Sequence, residues 1–86
     1  MIAYLAGTVI SVRADALILL SGEVGRRVHL PASQLAELRT GQETQLHTSL
    51  VVREDSMTLF GFLDEESREL FETLLTVSGI GPRMAL

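Results

Sequence analysis

Apolar and polar residues alternate along about the first sixty positions with the period of two that is typical of β-strands. Turn-forming residues interrupt the alternation at Gly22 and at Thr40-Gly41. Gly7 falls inside the first run, at a position suited to a bend or a bulge. We predict five strands, within IAYLAGTVISV, DALILLS, VGRRVHL, QETQLHTSLVVR and the run that contains LFGF.

A short helix is predicted between the third and fourth strands. The segment ASQLAEL, residues 32–38, carries apolar residues at helical spacing. Five antiparallel strands with one small helix at this place fit a closed OB-type barrel better than a sandwich, which usually needs about seven strands. The pattern therefore predicts a mainly β fold, with an OB barrel over residues 1–63.

After residue 63 the pattern changes to that of a helix. Asp64 can cap its N-terminus, and the acidic Glu65 and Glu66 fall in the first turn, where the helix dipole favours negative charge. One apolar stripe follows, which we expect to pack on another surface. It consists of Leu70, Phe71, Leu74 and Leu75.

The segment VSGIGP indicates the end of this helix and the start of another. Gly79 can take the left-handed conformation that ends helices, and Pro82 suits a first helical turn. Two glycines also let backbone approach a ligand, so this hairpin can hold a nucleic-acid phosphate. The alternative is a glycine cap followed by a proline-started helix, without a ligand. With a phosphate-binding hairpin, residues 64–86 would be the truncated start of a second, helix-hairpin-helix domain.

Composition and charge exclude several classes of function. The chain of 86 residues has no cysteine, and 47% of it is apolar and 21% charged, which suits one globular domain. No apolar run approaches a membrane span, so we expect a soluble, cytoplasmic protein. The net charge of −4 has the wrong sign for a simple nucleic-acid binder. No Walker-type nucleotide-binding loop or catalytic constellation is present, so we predict neither enzyme activity, cofactor nor metal.

Two adjacent acids, Glu54 and Asp55, stand between apolar runs and are predicted to form the turn of a β-hairpin. Most acidic turns are simply solvated. A metal site is a poorer explanation, because no third acid or histidine stands at ligand spacing.

Three stretches carry a resemblance to a known family. They are VRED with LFGF four residues further on, GIGPR shortly before AL, and the initial MI with Leu5 and Gly7. With these residues the chain resembles the RuvA family, the Holliday-junction-binding subunits of the bacterial branch-migration machine. The resemblance implies an OB-like barrel, a middle domain with two helix-hairpin-helix elements, and a flexibly linked C-terminal domain that docks on the RuvB motor.

The resemblance also implies partners and roles for particular residues. The implied partners are four-way junction DNA, the RuvB motor, the RuvC resolvase and three further copies of the chain in a homotetramer. The subunit would target the motor for branch migration in recombinational repair. It would have no catalytic activity of its own. Glu54 and Asp55 match the acidic pin that four subunits present at the junction centre. The residues that match the phosphate-binding hairpin are Gly79, Ile80, Gly81 and Arg83.

The chain departs from the family at two places. It reads GEVGRRV at residues 22–28 where the family usually reads GGVGYEV, so it gains Arg26 and Arg27. These arginines are candidate DNA contacts or a solvated strand face. Tyr4 and Ala6 occupy positions that are often basic in relatives. His29 and His47 are far apart in the sequence and match no recognisable motif, so we assign them no role.

Two other functions are compatible with the pattern. One is an OB module for single-stranded nucleic acid, although the chain has few aromatic residues for stacking bases. The other is an oligomerisation or protein-docking barrel without DNA affinity of its own.

Overall fold

The computed structural model describes residues 2–76 and 81–86. Along the chain the elements are β1 (Tyr4–Val12), β2 (Ala16–Ser21), β3 (Val24–His29), α1 (Ala32–Leu35), β4 (Glu43–Arg53), β5 (Ser56–Phe62), α2 (Glu65–Leu75) and α3 (Pro82–Ala85). The strands close into one barrel in the order β1-β2-β3-β5-β4. The predicted mainly β fold with a five-stranded barrel followed by a helix is confirmed.

Strand β1 is shared between two neighbours, which is how the barrel closes. Its first half pairs with β4, from Tyr4 opposite His47 to Thr8 opposite Glu43, and its second half pairs with β2. The register shifts between Val9 and Ser11. The predicted irregularity in this strand therefore lies beyond Gly7.

Gly7 has a different role, which is close backbone approach. A Cβ at this position would collide with the carbonyl group of Leu20 on β2. The strand can therefore pass from one neighbour to the other only where no side chain is present. Gly61 allows β5 to lie close to β3 in a similar way, because a Cβ at Gly61 would lie 2.6 Å from Cγ1 of Val28.

The strand pairing corrects one sequence-based expectation. Strands β3 and β5 pair in parallel, with Val28 opposite Leu59 and His29 opposite Phe60, whereas the pattern predicted only antiparallel strands. The chain between them contains α1 and the whole of β4, which is long enough for the crossover that a parallel pair requires. Helix α1 is also shorter than predicted, since it ends at Leu35 and a turn follows.

The barrel interior is filled by branched aliphatic side chains from all five strands and from the α1 segment. Full burial of each such side chain stabilises the fold by about 1.5–3 kcal/mol. Thr48 is the polar member of this interior, and its Oγ1 donates a hydrogen bond to the carbonyl oxygen of Ile2 at 2.8 Å. The buried aliphatic residues include Val9, Leu17, Leu19, Val28, Leu30, Leu35, Leu46 and Leu59.

Helix α2 begins as the sequence predicts. Asp64 caps it, since its carboxylate accepts hydrogen bonds from the backbone N–H and the hydroxyl of Ser67, each at 2.8 Å. Phe71 is buried, whereas Leu70 is 60% exposed, so Leu70 does not share the packing of Phe71 within this chain. Among the described residues, none of the helices has the length and apolar content needed to cross a bilayer.

Replacing Gly7 by alanine should destabilise the barrel. The added methyl group meets a backbone carbonyl that cannot rotate away, so we expect the free energy of unfolding to fall by about 1–3 kcal/mol or more. Gly81→Ala is the matched control, because a Cβ there meets nothing within 4 Å. Urea unfolding measures both variants, and equal midpoints for Gly7→Ala and the parent protein would contradict the role assigned to Gly7.

The cap of α2 should make stability depend on pH. The hydrogen bond from the backbone N–H of Ser67 is the main cause that lowers the pKa of Asp64. A carboxyl with a lowered folded-state pKa stabilises the fold above its unfolded pKa of about 3.9, and that contribution disappears as the pH falls through the folded-state pKa.

Asp64→Asn keeps an oxygen that can accept from Ser67 but removes the titration. We therefore expect this variant to be less stable than the parent at neutral pH and to lose less stability on acidification. Urea midpoints between about pH 5 and pH 2 measure the difference. Parallel curves for the two proteins would show that the cap does not titrate with folding.

Candidate nucleic-acid interface

The β4-β5 hairpin extends past the rim of the barrel. Strand β4 pairs with β1 only up to His47, and β5 pairs with β3 only at Leu59 and Phe60. Residues 51–58 therefore pair only with each other, in a ladder that ends at Arg53 opposite Ser56. The result is a two-stranded ribbon that projects from the barrel, with residues 54–55 at its tip.

The tip carries the two acids that the sequence analysis selected. Glu54 and Asp55 are both exposed and form the two-residue turn, which confirms the predicted hairpin. Within the part of the chain that the structure describes, no ion pair involves either carboxylate. Neither residue has a positive φ, so the turn does not depend on the chemistry of these side chains.

The two faces of the ribbon differ. On one face Val51, Arg53 and Thr58 line a groove of about 410 Å³, whose other wall is formed by Gly81 and Pro82. On the opposite face Val52 lies opposite Met57, and both side chains are exposed. Although it is apolar, Val52 is therefore not part of the core of this chain.

Three phenylalanines fix α2 to the base of the ribbon. The ring of Phe71 lies 5.0 Å from that of Phe60 and 5.1 Å from that of Phe62, measured between centroids, and all three are buried. Of the three, Phe71 belongs to the apolar stripe that the sequence predicts for this helix. A hydrogen bond of 2.9 Å from Oγ of Ser49 to a carboxylate oxygen of Glu72 adds a polar contact between β4 and α2.

Further polar contacts hold the segment that joins the barrel to α2. The backbone N–H of Leu63 donates to Oε1 of Gln34 at 2.8 Å, and the guanidinium of Arg68 donates to the carbonyl oxygen of Ala3 at 3.3 Å. Helix α2 therefore has a defined position on the barrel, and the chain leads from it to the groove beside the ribbon.

The predicted phosphate-binding hairpin is only partly described. Gly79 and Ile80 lie outside the described residues, as does the side chain of Arg83. Gly81 precedes α3 in an extended conformation, and Pro82 occupies the first turn, as the sequence predicted. The start of α3 and the acidic ribbon thus border the same groove.

Arg26 and Arg27 do not form one cationic patch. Adjacent residues on a strand point to opposite faces, and Arg26 is half-buried opposite the buried Leu19, whereas Arg27 is exposed opposite Ile18. Only Arg27 is therefore presented on the outer surface of the barrel.

The sequence analysis missed one exposed aromatic contact. Tyr4 and His47 lie opposite each other on β1 and β4, with ring centroids 5.7 Å apart in an edge-to-face arrangement. Their neighbours Ala6, Gly7 and Glu43 line a shallow recess of about 420 Å³. Among the described residues, neither lysine nor arginine lines this recess and Glu43 is acidic, so the recess is poorly suited to attract phosphate.

No group of at least three histidine, cysteine or acidic side chains with metal-binding geometry occurs among residues 2–76 and 81–86. The ribbon therefore has an exposed acidic tip above an apolar pair, and it lies next to a groove that Arg53 lines.

Comparison with known proteins adds an independent finding. Residues 1–61 match the family model described as the RuvA N terminal domain. The whole chain is 52% identical to proteins of Thermobifida fusca and Beutenbergia cavernae and 51% identical to one of Mycobacterium tuberculosis. Each of these is named Holliday junction branch migration complex subunit RuvA, and the chain spans 43–44% of their length.

Proposed function

Because the chain belongs to the RuvA N-terminal domain family, we propose that it forms the junction-recognising part of a subunit that binds four-way DNA. The observation that carries the proposal is the pair of exposed acids on a ribbon that projects beyond the barrel rim. A solvated turn needs no such projection, whereas a pin does.

The acids act by excluding the DNA backbone. Duplex DNA carries one negative charge per roughly 1.7 Å of its axis, so phosphates that approach Glu54 and Asp55 are repelled. A continuous duplex across the centre would meet this repulsion over several phosphates. The strands of a four-way junction turn away at the exchange point, so a junction can keep its outer contacts without meeting the acids.

Binding and chemistry are divided between proteins in this proposal. Residues 1–63 form the barrel with the pin, and residues 64–86 open a helix-hairpin-helix domain that holds DNA phosphates through Gly79, Ile80, Gly81 and Arg83. The subunit is not an enzyme. It acts in the cytoplasm, targets the RuvB motor for branch migration and works with the RuvC resolvase.

A single-stranded DNA module is less well supported. Such modules stack bases on exposed aromatic residues, but the three phenylalanines here are buried and Tyr4 is the only other aromatic residue in the chain. A pure docking barrel would leave the unpaired acids at the ribbon tip without a role.

Removing the pin charges should weaken discrimination against duplex DNA. In the complete protein we expect Glu54→Gln combined with Asp55→Asn to bind duplex more tightly, so that the junction-to-duplex affinity ratio falls by roughly threefold or more, as suits surface charges of this kind. The free energy of unfolding should stay within about ±0.5 kcal/mol of the parent value. Gel-shift titrations with both DNAs measure the ratio.

The matched control is Glu23→Gln combined with Glu37→Gln. These acids are also exposed and lie in turns, and both double variants remove two negative charges from a net charge of −4. If the control changes the ratio as much as the pin variant does, the effect comes from net charge and the pin has no role.

A ring of pins requires association of the barrels. We propose a homotetramer with fourfold symmetry, in which one surface of each barrel meets a different surface of its neighbour and the acidic tips converge on the axis. Exposed apolar side chains of the barrel that are available for such contacts include Ile10, Leu20 and Val24.

Converging acids repel one another, so salt should favour the assembly. Ions screen exposed charges over about 10 Å at 0.1 M ionic strength, and we expect the mass to rise toward a tetramer as protein and salt concentrations increase. Sedimentation or light scattering follows this directly. A protein that remains monomeric at high concentration in both low and high salt would contradict an assembly surface within residues 1–86.

A further inference from the structure

The ribbon beneath the acidic tip carries two exposed apolar side chains that no contact within the chain explains. Val52 is 64% exposed and Met57 is 70% exposed, the two highest values among the large apolar residues that the structure describes. They are direct cross-strand partners, so their side chains lie side by side on one face.

This face continues the barrel interior outward. The next pair toward the barrel on the same face is Leu50 opposite Leu59, and both pack with the main core. Beyond that pair the barrel ends, but the residues remain apolar. Val52 and Met57 therefore form a small apolar surface at the edge of the core, directly below Glu54 and Asp55.

The charge of the tip restricts what can cover this surface. Phosphates are repelled by the adjacent carboxylates, and so is any other acidic group. The face of a nucleobase is neutral, flat and apolar, and methionine and other aliphatic side chains pack on bases where a DNA stack is opened. Methionine sulfur also makes favourable contacts with aromatic rings.

The size of the surface favours a base over a second copy of the chain. A stable protein interface buries roughly 800 Å² on each partner, to which two side chains contribute only a small part. One base face, in contrast, is comparable in size to a pair of adjacent side chains.

We propose that Val52 and Met57 form a base-contact surface that packs against nucleobases at the exchange point of a four-way junction. This inference rests on the proposed function. The tip keeps phosphates away, and the stem below it offers neutral contact to bases that are unstacked there. The ribbon then combines repulsion of the backbone with attraction of the bases.

The test uses the complete protein and a four-way junction with 2-aminopurine, a fluorescent base, at the exchange point. The same label in the middle of an arm is the DNA control. Met57→Gln keeps the length of the side chain but makes it polar, and Val52→Thr keeps the shape of valine. We expect each to reduce the fluorescence change at the exchange point, and Met57→Gln to weaken junction binding by about threefold to tenfold.

Two further variants isolate the cause. Met57→Leu stays apolar and should retain most of the signal, whereas Leu70→Gln makes the same polar change at a 60% exposed site on α2 and should have no effect. The dependence of affinity on salt should be the same in Met57→Gln and the parent, because no phosphate contact is lost.

Different failures have different meanings. If the parent prefers junction to duplex but Met57→Gln matches it in affinity and fluorescence, the base-contact surface is refuted and the proposed function stands. If Met57→Gln changes the sedimentation of the protein without DNA, the surface is a contact between copies and the inference is refuted. A parent protein without junction preference would refute both.

Discussion

The packing of Phe71 between Phe60 and Phe62 is the contact on which the arrangement of the molecule depends. Phe60 belongs to the parallel pair that closes the barrel, and it also stands at the base of the projecting ribbon. Because the Phe60 side chain takes part in barrel closure and in seating α2, the acidic tip and α2 have a fixed relation. Aromatic rings at centroid distances of about 5 Å gain energy beyond their burial, which makes this a firm anchor.

The local features of the fold were predictable from sequence. Alternation gave the strands and the β4-β5 hairpin, and Asp64 before two glutamates identified the start of α2. These features depend on neighbours in the chain. The parallel pairing of β3 with β5 was missed, because it depends on how the barrel closes across the thirty positions between paired residues. Gly7 was recognised as special, but the nearby backbone of Leu20 that makes it necessary is not visible in sequence.

In the site, too, the features set by neighbouring residues were predictable, and those set by distant contacts were not. The position of Glu54 and Asp55 at a turn follows from the apolar runs around them. The exposure of Val52 and Leu70 does not, since an apolar residue at core spacing is buried only if the neighbouring element reaches it. The barrel rim ends before Val52, and α2 turns Leu70 away from the phenylalanines. Arg26 and Arg27 are adjacent in the sequence and therefore lie on opposite faces of a strand, so their adjacency did not indicate a common site.

The sharing of β1 between β2 and β4 has a consequence for aggregation. Thr8 is paired on both sides, with Leu20 on β2 and with Glu43 on β4. Where the barrel is closed its strands have neighbours on both sides, whereas both outer edges of the ribbon at residues 51–58 are open. Unpaired edges are the usual templates for pairing between chains. Detaching β1 would open two edges at once, on β2 and on β4, and would expose the apolar interior between them. The same strand that closes the barrel therefore protects the barrel, but not the ribbon, from association through sheet edges.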